Sequence, residues 1–355
     1  MNPQTITSVP PYRRIATEEA WLPPEMAQMY LRAIQDKSIP DPGFQSLWGF
    51  FAGSQSERAS TLFRRIQDIG DGRVREMDAL GTDVQILSLT CPGVQPFDPA
   101  TGTALAKSTN DQLAETIRRH PTRLDGLAAV APQDPQAAAK ELERAVTKLG
   151  LRGLIINSHI NGEYLDDQKF WDILAAAEAL NVPLYLHPNT PSPQMVEPFL
   201  SRGLDAAIYG FACETGLHAL RMIVGGVFDR FPKLQVVLGH LGEALPYWLY
   251  RIDFMHAGIV RSDRCAGARP LQRKPSEVLR QNFHYTTSGM CWEPAVMYVH
   301  KLMGADRLMY AMDYPYQVVP EEVAAMDALP LSAEHKKMFF QTNAERVFGL
   351  RTDAG

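Results

Sequence analysis

The sequence predicts an α/β protein folded as a (β/α)8 TIM barrel with insertions at the barrel mouth. Three observations carry that expectation: eight short apolar runs spread along 355 residues, stretches of helical period between them, and no glycine-rich phosphate turn after an early run. Near-continuous apolar runs mark strands buried on both faces of a parallel sheet. Strand and helix repeated eight times close most simply into a barrel. The rival, a doubly wound open sheet, would normally carry the glycine-rich turn.

In chain order the expected strands are RIATEEA (14–20), VQILSLT (84–90), LDGLAAV (124–130) and GLIINSH (153–159). VPLYLHP (182–188), LQVVLGH (234–240), FHYTTSG (283–289) and LMYAMDY (308–314) complete the set. Between them, PQAAAKELERAVTKLG (135–150) and DDQKFWDILAAAEALN (166–181) have helical period. The second opens on an aspartate cap and stops before Val182-Pro183, because a residue preceding proline is driven out of the helical region. Three segments exceed a minimal barrel: 37–57 with its SLWGFFAG stretch, 189–215, and 257–275. Each follows a strand or its helix, so they are expected over the barrel mouth or at a subunit contact. The last, GIVRSDRCAGARPLQRKP, is polar and locally basic and reads as a solvated loop.

Barrels of this length occur as one domain, so a single domain over 1–355 is expected. The net charge of -5, the pI near 6.0 and the lack of any Lys/Arg run exclude an electrostatic footprint for nucleic acid or an anionic membrane. The four cysteines, Cys91, Cys213, Cys265 and Cys291, show no CxxC or zinc spacing and read as reduced thiols. MNPQTITSVPPYRR has no apolar signal region, and no segment is apolar enough to span a bilayer, so a cytoplasmic protein is expected.

Polar residues gather at the C-terminal ends of the expected strands: Glu18 and Glu19, Thr90, Asn157 and His159, His187, His240, Thr286 and Thr287, and Asp313. Barrel enzymes build their sites there, since strand ends hold side chains around one cavity. Glu18, His187 and Asp313 supply two carboxylates and an imidazole, a mixed set suited to Mn2+, Zn2+ or Fe2+ with positions left for water and substrate. Strand alternation lets only one of Glu18 and Glu19 look inward. Such a site could activate water to hydrolyse an ester, lactone or amide, or anchor an acid for decarboxylation.

The segments EEA (18–20), NSHINGEYLDD (157–167), LYLHP (184–188), GHLGEALPYWLYRID (239–253) and YAMDYPYQ (310–317) resemble the hydroxy-aromatic acid decarboxylase branch of the amidohydrolase superfamily. SLWGF (46–50), SERA (56–59), PGVQP (92–96) and VAPQDP (130–135) extend the likeness over nearly the whole chain. Within the branch the motifs are most similar to the 5-carboxyvanillate decarboxylases. The superfamily commonly opens with His-x-His on its first strand, and sister benzoate decarboxylases with Glu-x-His. Here Ala20 takes the last place and cannot bind metal. The resemblance therefore implies one divalent ion, Mn2+ first and Zn2+ as the alternative, held by Glu18, His187 and Asp313. No lysine ends the fourth strand to bridge a second ion.

The implied reaction is non-oxidative loss of CO2 from a small hydroxy-aromatic carboxylate of the 5-carboxyvanillate type. Direct loss would leave an aryl carbanion without ring delocalisation, so the carboxylate-bearing carbon must be protonated first. The resemblance gives that proton transfer to Asp313, with His240 at the end of the sixth strand as its partner. It turns Arg58 and Arg251 toward the ligand, Arg251 in its own or a neighbouring subunit's site; a guanidinium matches a carboxylate with two hydrogen bonds. Thr90, Phe211 and Tyr316 are further candidates for the pocket wall. A homo-oligomer, dimer or tetramer, is implied as well.

Overall fold

The strands of the computed structural model, which describes residues 11–262 and 264–350, fall in the expected runs. They are β1 (Ile15–Trp21), β2 (Val84–Leu89), β3 (Leu124–Gly126), β4 (Ala128–Ala129), β5 (Leu154–Asn157), β6 (Leu184–His187), β7 (Val236–Leu238), β8 (Phe283–Thr286) and β9 (Leu308–Met309). The third run is divided at Leu127: β3 pairs with β2, and β4 pairs with β5. All pairings between these strands are parallel, in one sheet of β1-β2-β3 and another running from β4 to β9.

Side-chain alternation sorts the strands' apolar residues into two cores. Leu154, Ile156, Leu184, Leu186, Val236, Leu238, Phe283 and Tyr285 pack under helices, against residues such as Leu142, Ile173 and Phe228. Ile86, Ala129, Ile155, Tyr185, Val237 and Met309 pack on the opposite face. β1 obeys the rule only with a correction. Ala16 pairs with Gln85 but Glu19 with Leu87, so one extra residue is fitted between them. This bulge reverses the parity of the rest of the strand: Ile15 and Ala20 both belong to the inner core, Ala16 and Trp21 to the outer one.

The helices obey local chemistry. Pro135–Arg144 begins at Asp134, whose carboxylate accepts the Ala137 N–H at 3.0 Å, widens over Ala145–Leu149 and ends at Gly150 with φ 79°. In the next helical stretch Asp167 accepts from the Lys169 N–H, Trp171–Leu180 comes after it, and Asn181 closes it at φ 53°. Two insertions lie over one end of the strands. The first, 37–57, forms the helix Pro42–Gly53, whose Phe44 and Trp48 pack edge-on against Tyr30 of the preceding helix Pro24–Asp36. The second runs through short turns into the helix Gly210–Val224. The third differs from expectation: the helix Leu245–Ser262 continues through GIVRS, because no proline between Pro246 and Pro270 interrupts it, and only the exposed stretch after it is loop.

No helix among the described residues is long and apolar enough to cross a membrane. The reading of the N-terminal leader rests on residues 1–10, which lie outside the described ones.

Candidate active site

Side chains from β6, from the end of β8 and from the turns after β7 and β8 converge on the carboxylate of Glu18, in the middle of β1 and 2% exposed. Its Oε2 accepts from the hydroxyls of Tyr185, Ser288 and Thr286, the last at 3.0 Å. Its Oε1 has no hydrogen-bond partner and faces His187 Nε2 at 3.5 Å and His240 Nε2 at 3.8 Å. Burial alone would raise this pKa, but the facing His240 and His187, with the Ser288 and Tyr185 hydroxyls, bring it below the ordinary carboxylate range. Gly239 makes room: a Cβ there would run into the Glu18 carboxylate and meet Ser288 Oγ at 3.0 Å.

His187, at the end of β6, has Nδ1 2.8 Å from the Pro188 carbonyl, so that nitrogen carries the proton and Nε2 presents its lone pair toward Glu18. Burial holds its pKa below the usual value. His240 opens a five-residue left-handed turn, with φ of 51° at His240, 57° at Leu241, 83° at Gly242, 51° at Glu243 and 59° at Ala244. Left-handed backbone is costly for residues with a Cβ, and such strain persists only where surroundings over-determine it. Here it aims the imidazole: Nδ1 pairs with Glu243 Oε1 at 2.8 Å while Nε2 points at Glu18. Burial opposes the His240 charge, but Glu243 and Glu18 outweigh it and push the pKa up to about 10.

Asp313 lies beyond β9, again left-handed at φ 68°. Burial pushes its carboxyl up to about 8, the His240 cation opposing and Glu18 reinforcing the rise. His240 and Asp313 are neighbours across Gly289, whose Cβ, if present, would lie 3.3 Å from His240 Cδ2 and 3.5 Å from Asp313 Oδ2. The hydrogen bond of His240 goes to Glu243, not to Asp313. Glu19, on the other face of β1, accepts from the backbone N–H groups of Met312 at 2.9 Å and Tyr314 at 3.0 Å. Its own carboxyl is pushed up to about 8, chiefly by burial.

His187, His240 and Asp313 open into a cavity of about 570 Å3. Arg58, Phe211 and Tyr316 line it, together with Leu47, Phe50 and Phe51 from the first insertion and Asp205 from the second. Thr90 supports the wall from behind, with its hydroxyl 2.5 Å from the Tyr316 hydroxyl. Arg251 stands elsewhere, exposed on the helix Leu245–Ser262 beside a separate hollow lined by Tyr209, Cys213 and Trp248. Among the described residues no three His, Cys, Asp or Glu side chains are drawn into a closed chelate; the donors face one another in pairs.

Some strand-end residues serve other ends. Asn157 N–H donates to Gln95 Oε1 at 2.6 Å, and His159 Nε2 lies 3.2 Å from the Thr190 carbonyl, both bracing loops. Conversely, sequence reasoning gave no role to Tyr185, Ser288, Glu243 or the support function of Glu19. Tyr185 sits inside an apolar run with nothing to distinguish it from core. The hydroxyl-rich TTS at 286–288 was the one legible signal.

Known proteins share this fold. A family model described as Amidohydrolase matches residues 43–350. The chain is 50% identical to a 5-carboxyvanillate decarboxylase from Novosphingobium aromaticivorans, solved with manganese and 4-hydroxy-3-methoxy-5-nitrobenzoic acid; the TM-score is 0.94 over 96% of this chain and 97% of that one. It is 41% identical to a 5-carboxyvanillate decarboxylase from Sphingomonas paucimobilis, with a TM-score of 0.89 over 96% and 99% of the two chains. A gamma-resorcylate decarboxylase from a Polaromonas species is 35% identical over 81% of this chain and 90% of its own. The chain belongs to the amidohydrolase family and, within it, to the branch of hydroxy-aromatic acid decarboxylases.

Proposed function

We propose that this protein decarboxylates a small hydroxy-aromatic acid of the 5-carboxyvanillate type, without oxidation, at one divalent metal ion. The observation that carries the reading is the Glu18 carboxylate oxygen that is buried, unpartnered and faced by two imidazole nitrogens. Spacings of 3.5 and 3.8 Å would let these donors share a cation. Glu18, His187 and Asp313 would hold the ion, with His240 beside them. The mixed oxygen and nitrogen set, and the manganese in the Novosphingobium relative, favour Mn2+ over Zn2+. When bound, the ion supplies a Lewis-acidic anchor for phenolate and carboxylate oxygens.

The side chains do the rest. Arg58 pairs with a carboxylate, and Phe211, Phe51 and Tyr316 enclose the ring. Asp313 takes the proton of the substrate's phenol as the phenolate forms and passes it to the carboxylate-bearing ring carbon. The C–C bond to the carboxylate then breaks, CO2 departs, and the bonding pair restores the aromatic ring.

Three coarser features are part of the same reading. The two sheets form one closed (β/α)8 barrel in a single domain over 1–355. Supporting closure, Thr17 N–H donates to the Tyr310 carbonyl at 3.1 Å and Ala20 N–H to that of Tyr314 at 2.7 Å, joining the first strand to the segment that follows the last. The chain acts as a homo-oligomer in which Arg251 reaches a neighbouring subunit's cavity. Its support is the exposed aromatic face of Tyr247, Trp248, Tyr250 and Phe254 around Arg251. The free cysteines accord with a cytoplasmic setting.

Purified protein with measured manganese content should release CO2 from 5-carboxyvanillate, and more slowly from 2,6-dihydroxybenzoate. Hydrolysis of lactones or esters with no CO2 from any hydroxy-aromatic acid would overturn the assignment.

A further inference from the structure

The two adjacent glutamates of β1 face opposite ways, and the second is as deeply buried as the first. Glu19 is fully buried, yet it touches neither the cavity nor Glu18's hydroxyl cage. Its two oxygens are divided between two backbone donors, Met312 N–H on Oε1 and Tyr314 N–H on Oε2, which flank Asp313. β9 has already ended at Met309, so no strand ladder holds this segment. The Glu19 carboxylate takes the place of a strand partner. The chain is not extended between those donors: it turns at the residue they flank, and one carboxylate holds the N–H on either side of that turn. That residue is Asp313, in a left-handed conformation that a β-carbon disfavours.

A buried cation stands near the carboxylate. Arg73, fully buried, donates to the Ala20 carbonyl at 2.7 Å, the Asp68 carbonyl at 2.8 Å and Gln85 Oε1 at 3.1 Å. Its guanidinium covers the Tyr314 ring at 4.6 Å and places a positive charge near Glu19. Ala20 N–H in turn donates to the Tyr314 carbonyl. The segment 312–314 is thus clamped from β1 at three points.

We propose that Glu19 is the positioning residue for Asp313: by gripping the peptides on either side, it sets the left-handed backbone that turns the Asp313 carboxylate into the cavity. The inference rests on the ligand and proton-carrier role proposed for Asp313. It assigns different work to each member of the pair: Glu18 faces the cation, and Glu19 aims the residue that meets cation and substrate.

The test is a double-mutant cycle read by Mn2+ binding to the metal-depleted, folded enzyme, together with steady-state kinetics. Glu19→Gln keeps the volume but offers an amide NH2 to one of the two donors, and Glu19→Asp withdraws the carboxyl group by one methylene. Either is expected to weaken Mn2+ binding about tenfold or more, as loss of a ligand's support does. It should also lower kcat about tenfold while KM changes less than about threefold. In the Asp313→Asn background the same substitutions should add nothing to the loss of Mn2+ affinity. If one variant fails to fold, the other carries the test, and if neither folds, the proposal of a dispensable support with a purely local effect is overturned. Wild-type Mn2+ affinity and kcat in a folded Glu19 variant, with only the melting temperature lowered, would also overturn it. An Asp313→Asn enzyme that binds Mn2+ and turns over normally would instead remove the role of Asp313 itself.

Discussion

Asp313 combines a strained backbone, a raised pKa and a place on the cavity wall, so its loss should separate chemistry from folding. Asp313→Asn is expected to reduce decarboxylation by about a thousandfold or more, in line with removal of an acid that acts in the transition state. The protein should remain folded by circular dichroism. Activity within tenfold of wild type would refute proton delivery by this residue. His240 makes a prediction about pH. Its folded pKa is raised to about 10, against about 6.5 for an unperturbed histidine. The sign comes from linkage: the stabilisation is fully present below the unperturbed value and lost as pH rises through the folded one. The metal-free protein should therefore lose thermal stability between about pH 6.5 and pH 10, and His240→Asn should flatten that part of the profile. An unchanged slope in the variant would show that other groups cause it.

At the scale of elements, the left-handed turn after β7 is where stability has been yielded to geometry. Ala244 ends it at φ 59° on an exposed surface, so its methyl group meets the conformational penalty without compensating burial. Ala244→Gly should stabilise the protein by about 0.5–1 kcal/mol and raise the melting temperature by roughly 2 °C, with kcat unchanged. A lower melting temperature would mean that the turn is held in this shape without strain. The helix Pro42–Gly53 acts differently, by closing the cavity with Leu47, Phe50 and Phe51. Phe50 is left more than half exposed, at 56%, in a region where an aromatic ligand would cover it.

For the whole molecule, metal and assembly are the variables. Chelation should abolish activity and leave the secondary structure intact, because the strands that carry Glu18 and His187 are already held by two hydrophobic cores. Unfolding on chelation would point to a structural ion. The helix Leu245–Ser262 shows Tyr250 at 82% and Tyr247 at 70% exposure, an apolar face that a monomer would leave wet. Phe254→Glu should shift the mass measured by light scattering from oligomer to monomer. It should also lower kcat/KM by an amount similar to Arg251→Ala, if Arg251 completes a neighbouring cavity. A monomeric wild-type protein would refute both expectations.

Much of this was legible in the chain by itself. Continuous apolar runs located the strands, since burial on both faces leaves no other composition stable. Ionisable residues at their ends pointed to the cavity lined by His187, His240 and Asp313, and the resemblance to the decarboxylase branch, with Ala20 in place of a histidine, implied a single ion. Three-dimensional contacts decided the rest. The hydroxyl cage on Glu18 joins residues up to 270 positions apart, as with Ser288, and no local pattern can announce such a pairing. Arg251 was placed on an outer helix face, away from its own chain's cavity. The pair Glu18-Glu19 shows the division most clearly. Alternation says that one faces inward, but counted from Ile15 without interruption it would choose Glu19. The extra residue between Ala16 and Glu19 reverses the parity and sends Glu18 inside. A bulge is a property of how two strands register against each other, so only the folded sheet could decide it.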